Sequence, residues 1–153
     1  MSFGILVGRF GQFVREYNDT PVSVEMAEPA FPLDQDVREA IAHHLIPLAL
    51  LARSDGDEAD SEIAAIHEHL IVVLTNAGKS MSDDHKTVLK SYIAEYRPSL
   101  AQLDPALRRL EKENADTMIA LLAAARAVVM ADGRIDPAEA RLLDELKLEL
   151  AKA

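Results

Sequence analysis

Two short stretches of this 153-residue chain place carboxylates where they could bind or cap something. Asp55-Gly56 is followed, after five residues, by Glu62, and Asp132-Gly133 is followed, after five residues, by Glu139. Both pairs stand at one offset of 77 residues (55 to 132, 62 to 139). The flanks keep the same register: Leu45, Leu51 and Ala52 fall on Leu122, Val128 and Val129, and Ala65 and Ile66 fall on Leu142 and Leu143. One helix-loop-helix unit used twice accounts for this pattern.

The chemistry of each unit follows from its residue types. A Gly after Asp lets the chain leave a helix through a left-handed conformation. The later Glu falls in the first turn of the next helix, where a carboxylate suits the free N–H groups and the positive dipole end. The first copy is the more acidic: Asp55, Asp57, Glu58, Asp60 and Glu62 lie within 54–62 with no basic residue among them. The second keeps Asp132, Asp136 and Glu139 but includes Arg134. Three readings stay open. Helix capping, worth about 1 kcal/mol per site, accounts for most of the second copy; in the first, five clustered carboxylates repel one another and capping needs only one or two. Clustered oxygen donors without Cys or His suit a hard cation, Ca²⁺, Mg²⁺ or Mn²⁺. An acidic docking patch for a basic protein partner is the third. The near-match to an EF-hand is broken in both copies, because the first and third ligand positions of the standard calcium loop fall on Leu51 and Arg53 in one and on Val128 and Met130 in the other.

Other chemistry finds no footing. His67 and His69 lie two apart on an expected helix and point about 200° from each other, so they make no two-His metal pair. His43 and His44 are adjacent and likewise expected to diverge, as surface or boundary residues. His85 beside Asp83 and Asp84 suggests an ion pair. Cys is absent, which removes disulfides and thiolate sites. No nucleophile motif is present, and Gly4, Gly8 and Gly11 are spaced too loosely for a phosphate loop. The chain is expected not to be an enzyme.

The elements that must position these residues read as helices. Phe3, Phe10, Phe13 and Tyr17 recur at roughly helical spacing, and Pro21, Pro29 and Pro32 follow, so residues 1–33 are set apart as an N-terminal arm with a short helix. Residues 34–153 form the main domain. Val37 to Arg53 carries Val37, Ile41, Leu45, Leu48 and Ala52 on one face, with Pro47 as a kink. Residues 61–76 carry Ile63, Ile66, Leu70 and Val73, and Gly78 ends that helix. Ser82-Asp83-Asp84 opens the next, with Val88, Leu89, Tyr92 and Ile93 inward. Asp104-Pro105 reads as N-cap and first helical residue. Asn114 or Asp116 opens the most apolar helix, 117–131, expected to be central. Asp136-Pro137-Ala138-Glu139 starts the last, with Leu142, Leu143, Leu146 and Leu150 on one face.

Composition agrees. Apolar residues make up 49% and aromatics 5%, and alternating strand-like runs are missing. The expected fold is an all-α, compact multi-helix bundle with an internal pseudo-repeat. A net charge of −10 disfavours nucleic acid and anionic membrane surfaces as partners. No secretory signal is recognisable at the N-terminus, and the longest apolar stretch, Met118 to Ala131, is shorter than the roughly 20 residues of a membrane span. A cytoplasmic location is expected.

Leu50-Leu51-Ala52-Arg53-Ser54-Asp55-Gly56 … Glu62 and Val128-Val129-Met130-Ala131-Asp132-Gly133-Arg134-Ile135-Asp136 … Glu139 resemble the signature of the TerB-like family over about residues 36–151. The second copy is the nearer match; the first departs at Arg53-Ser54 and in its extra acids. The resemblance implies a compact helical fold, a bacterial tellurite-resistance or related stress role, and metal binding by acidic residues. A related domain occurs in a DnaJ-type co-chaperone, so protein interaction lies within the family's range. By motif position Asp55, Glu62, Asp132 and Glu139 inherit the metal role; Asp57, Asp60 and Asp136 join them on chemical grounds. The sequence thus points to a non-enzymatic stress-response protein that binds a divalent cation, with a metal-free scaffold docking a basic partner as the alternative.

Overall fold

The computed structural model describes residues 2–17, 30–52, 60–132 and 137–152. Among these the regular structure is helical throughout, in the order α1 (Phe3–Tyr17), α2 (Gln35–Ala52), α3 (Asp60–Asn76), α4 (Asp83–Glu95), a 3₁₀ turn (Leu100–Gln102), α5 (Leu103–Leu110), α6 (Ala115–Asp132) and α7 (Pro137–Lys152). The all-α expectation is met. No helix among the described residues is long and apolar enough to cross a membrane.

Helix α1 buries Leu6, Val7, Phe10, Phe13 and Val14, which belong to the same core as the residues of α2 to α7. Their spacing of three, four and seven residues is the stripe a helix needs to bury one face. The face settles on α5, α7 and α2.

Helix α2 is the most enclosed, packing on α1, α3, α5 and α6. Nearly every residue from Ile41 to Ala52 is buried. The helix expected to be central, 117–131, shares the interior with it. Helix α6 packs on α3, α7 and α2 but exposes Ala123, Ala127 and Met130, which are spaced to form one outward stripe. Alanines read as apolar in a sequence, yet each has little area to bury, so an Ala-rich helix tolerates a solvent face.

Local signals fix the helix ends. Gly78 takes φ 79° after α3, a conformation open to Gly at no steric cost. Ser82 caps α4, its Oγ accepting from His85 N–H at 3.2 Å. Leu89, Tyr92 and Ile93 of α4 face inward as expected, but Val88 is exposed. Asp104 lies in the first turn of α5 rather than at its N-cap, because the 3₁₀ turn leads into that helix directly.

Direction of travel matters for the site. His44 and His69 meet midway along α2 and α3, and Lys79, just past the end of α3, pairs with Asp36 at the start of α2 at 2.6 Å, so these two helices run antiparallel. Asp116, Thr117 and Ala120 at the start of α6 line one cleft with Val72, Val73 and Asn76 near the end of α3, so α3 and α6 are antiparallel as well. From Ala120 to Asp132, and from Val72 back to Asp60, is about 18 Å of helix at ~1.5 Å per residue. Helix α6 therefore ends at the end of the bundle where α3 begins.

Candidate functional site

Asn114 caps α6: its Oδ1 accepts from Thr117 N–H at 2.8 Å and from Thr117 Oγ at 2.9 Å. Glu113 is the residue just before that cap. Its own N–H is tied to Leu110 O at 3.0 Å, so the α5–α6 connection is pinned on both sides of it. The carboxylate reaches α2, where His43 Nε2 hydrogen-bonds to Oε1 and His44 Nε2 lies 3.2 Å from both oxygens. On its other side His44 Nδ1 is 3.1 Å from His69 Nε2 of α3.

Burial makes this cluster a site rather than a surface decoration. His43, His44 and His69 are 7%, 0% and 6% exposed, and Glu113 is half-buried. The expectation of diverging, surface or boundary histidines at 43 and 44 is corrected. Neighbours on a helix differ by about 100°, and a single acceptor lying in the sector between them draws both rings together, their centroids 4.6 Å apart. His67 and His69 do diverge: His67 Nε2 donates to Lys86 O of α4 at 2.9 Å, while His69 turns to α2.

Protonation follows from the partners. Burial lowers the pKa of His44, against the opposing pull of Glu113. Burial, then repulsion from His44, lowers His69 to about 3, so that ring is neutral near pH 7. Burial raises the Glu113 carboxyl, but hydrogen bonds from His43 and His44 together with their charges outweigh it and hold the group at about 2. Neutral His44 that donates from Nε2 to Glu113 has only a lone pair at Nδ1, so His69 Nε2–H must donate to it. The chain of donation runs His69 to His44 to Glu113.

The cluster forms one wall of an open cleft of about 760 Å³, to which His43, His69 and Glu113 contribute along with Glu39, Arg109, Lys112 and Asp116. One ligand atom each from His43, His44 and Glu113 falls within 4.8 Å of the others. Two imidazole nitrogens and a carboxylate at such spacing are a donor set a cation can bridge. Sequence reading missed this centre, though a signal existed. His44 stands three residues after Ile41 and four before Leu48, and His69 three after Ile66 and four before Val73, so both are in phase with the apolar stripes of their helices.

The acidic residues singled out by the repeat fare differently. Asp60 and Glu62 lie in the first turn of α3; Asp60 is exposed and Glu62 is 1% exposed. Asp132 closes α6 and Glu139 lies in the first turn of α7, with their side chains outside the described set. Asp55, Asp57 and Asp136 lie outside the described residues. The fold brings the Asp132 end of α6 and the Asp60 end of α3 to one end of the bundle, while the His–Glu cluster meets α3 at His69, midway along that helix and about 14 Å from Asp60 at ~1.5 Å per residue.

The family model described as Tellurite resistance protein TerB matches residues 42–151, a span that takes in the histidine cluster and both Asp-Gly junctions. The chain belongs to the TerB family. Comparison with curated proteins and with solved structures gave no match.

Proposed function

We propose that this TerB-family protein is a non-enzymatic binder of a hard divalent cation, Ca²⁺, Mg²⁺ or Mn²⁺, acting in a tellurite-resistance-like stress response. Asp55, Asp57, Asp60, Glu62, Asp132, Asp136 and Glu139 supply the oxygen donors. All are carboxylates, the donor type such ions take.

The observation that carries this reading is the burial of Glu62. A carboxylate almost wholly removed from water and held in the first turn of α3 is a fixed oxygen donor rather than a freely solvated surface charge. The antiparallel course of α3 and α6, which brings α6 to its Asp132 end beside the start of α3, supports a shared site for the two junctions.

The test is calorimetric titration of EDTA-stripped protein with Ca²⁺, Mg²⁺ and Mn²⁺, followed by melting with and without the tightest ion. Saturable micromolar binding that raises the melting temperature is expected, lost in Asp55→Asn and in Glu62→Gln. No heat and no shift with any of the three would overturn the reading. Docking of a basic partner on the acidic face would show instead as an association that weakens progressively with salt and ignores chelators.

A further inference from the structure

We propose a second, chemically distinct metal site at His43, His44 and Glu113, taking a borderline transition-metal ion such as Zn²⁺ or Co²⁺ through two imidazole Nε2 atoms and one carboxylate oxygen. It goes beyond the carboxylate reading above and does not depend on it.

Geometry is the first support. The ligand atoms of the three residues lie within 4.8 Å of one another, and His44 Nε2 is 3.2 Å from each Glu113 oxygen. Two ligands on a tetrahedral ion at ~2.0–2.1 Å stand about 3.3 Å apart, so little movement separates the hydrogen-bonded arrangement from a coordinated one. Both imidazoles already aim Nε2 at the same carboxylate. Neutral rings need only exchange the proton on Nε2 for the ion, moving it to Nδ1.

Donor type is the second. Two neutral nitrogens with one carboxylate suit Zn²⁺ and Co²⁺, whereas Ca²⁺ and Mg²⁺ ask for oxygen throughout. Three protein ligands leave a fourth position, and the cleft alongside gives water a route to fill it.

The third is an orienting partner. A metal-bound His usually donates its other ring N–H to a fixed acceptor. His44 Nδ1 already faces His69 Nε2 at 3.1 Å. In the metal-bound form His44 carries its proton on Nδ1 and donates to His69, which shifts its own proton from Nε2 to Nδ1 and accepts at Nε2. The direction of that hydrogen bond reverses, while each ring retains one proton. His69 is thus a positioning residue, not a ligand.

The experiment is titration of tag-free, EDTA-stripped full-length protein with Co²⁺, read by visible absorption, and with Zn²⁺, read by calorimetry and by displacement of Co²⁺. One equivalent giving the intense bands of four-coordinate Co²⁺ is expected. Glu113→Gln and His43→Gln, which keep size and polarity, should abolish the bands while circular dichroism stays helical. His69→Ala should weaken affinity about 10–100-fold with the bands retained, and His69→Gln should restore part of the loss. No stoichiometric Co²⁺ or Zn²⁺ binding, or binding unchanged in both Glu113→Gln and His43→Gln, would overturn the proposal. A Ca²⁺ or Mn²⁺ response that survives Glu113→Gln belongs to the acidic residues, so either site can fail without the other.

Discussion

His44 Nδ1 and His69 Nε2 meet at 3.1 Å between α2 and α3, in a place where His44 is inaccessible to solvent. Two adjacent imidazoles so placed cannot both be charged cheaply, because burial and mutual repulsion oppose it together. The bond therefore holds only while at least one ring stays neutral, and this ties the fold to pH.

His69 has its pKa lowered from 6.5 to about 3, and His44 and His67 are lowered too, in each case chiefly by burial. Between about 3 and 6.5 the unfolded chain binds more protons than the folded one, so stability rises with pH there and falls on acidification. Below 4.5 Glu113, held at about 2 in the fold, adds a second loss in the same direction. Urea midpoints of metal-free protein should drop steadily from pH 7 to pH 4. In His69→Gln the slope between pH 6.5 and 4.5 should be shallower; an unchanged slope would remove His69 as its source.

Glu113 accepts from two rings at once, so its removal leaves both donors short of a partner. Glu113→Ala in metal-free protein should cost about 1–3 kcal/mol, the penalty of an unsatisfied buried donor. His85→Ala, at an exposed position, should stay within about 0.5 kcal/mol of the parent. Equal effects in urea unfolding at pH 7 would show that the cluster adds nothing to the fold.

The close approach of α1 to α5 rests on Gly11. A Cβ there would collide with the buried side chain of Leu107, whereas one at exposed Gly8 meets nothing. Gly8→Ala should stabilise by roughly 0.5–1 kcal/mol through helix propensity. Gly11→Ala gains the same propensity but must displace Leu107, at a cost of about 1–3 kcal/mol for overpacking. The ordering of melting temperatures, Gly8→Ala above the parent and Gly11→Ala below Gly8→Ala, checks it.

Helix ends were legible in the sequence where the cause is local. Gly78, Ser82 and Asn114 each act within three or four residues of themselves, and each does in the structure what its type suggests. The apolar stripes of α2 and α3 were legible for the same reason. The histidine centre was not, because it joins residues 25 and 69 apart in the chain, and only the packing of three segments brings them together. The angular rule that neighbouring histidines diverge is sound for a bare helix. It failed at His43 and His44 because Glu113 arrives between them from another part of the chain.

The last prediction joins a local cap to the remote centre. Asn114 Oδ1 satisfies Thr117 N–H at the first turn of α6, and the preceding residue is Glu113. Asn114→Ala removes that acceptor and should cost about 0.5–2 kcal/mol, while Asn114→Asp, which keeps the acceptor and suits the positive end of the helix, should restore most of it. Because the cap also fixes the backbone that carries Glu113, the alanine variant should loosen the bond to His44 as well. Proton resonances of the His44 and His69 rings, or their exchange rates with solvent, should respond to Asn114→Ala and return in Asn114→Asp. A stability loss with unaltered ring signals would mean that Glu113 is held by the histidines themselves, and that the cap serves α6 alone.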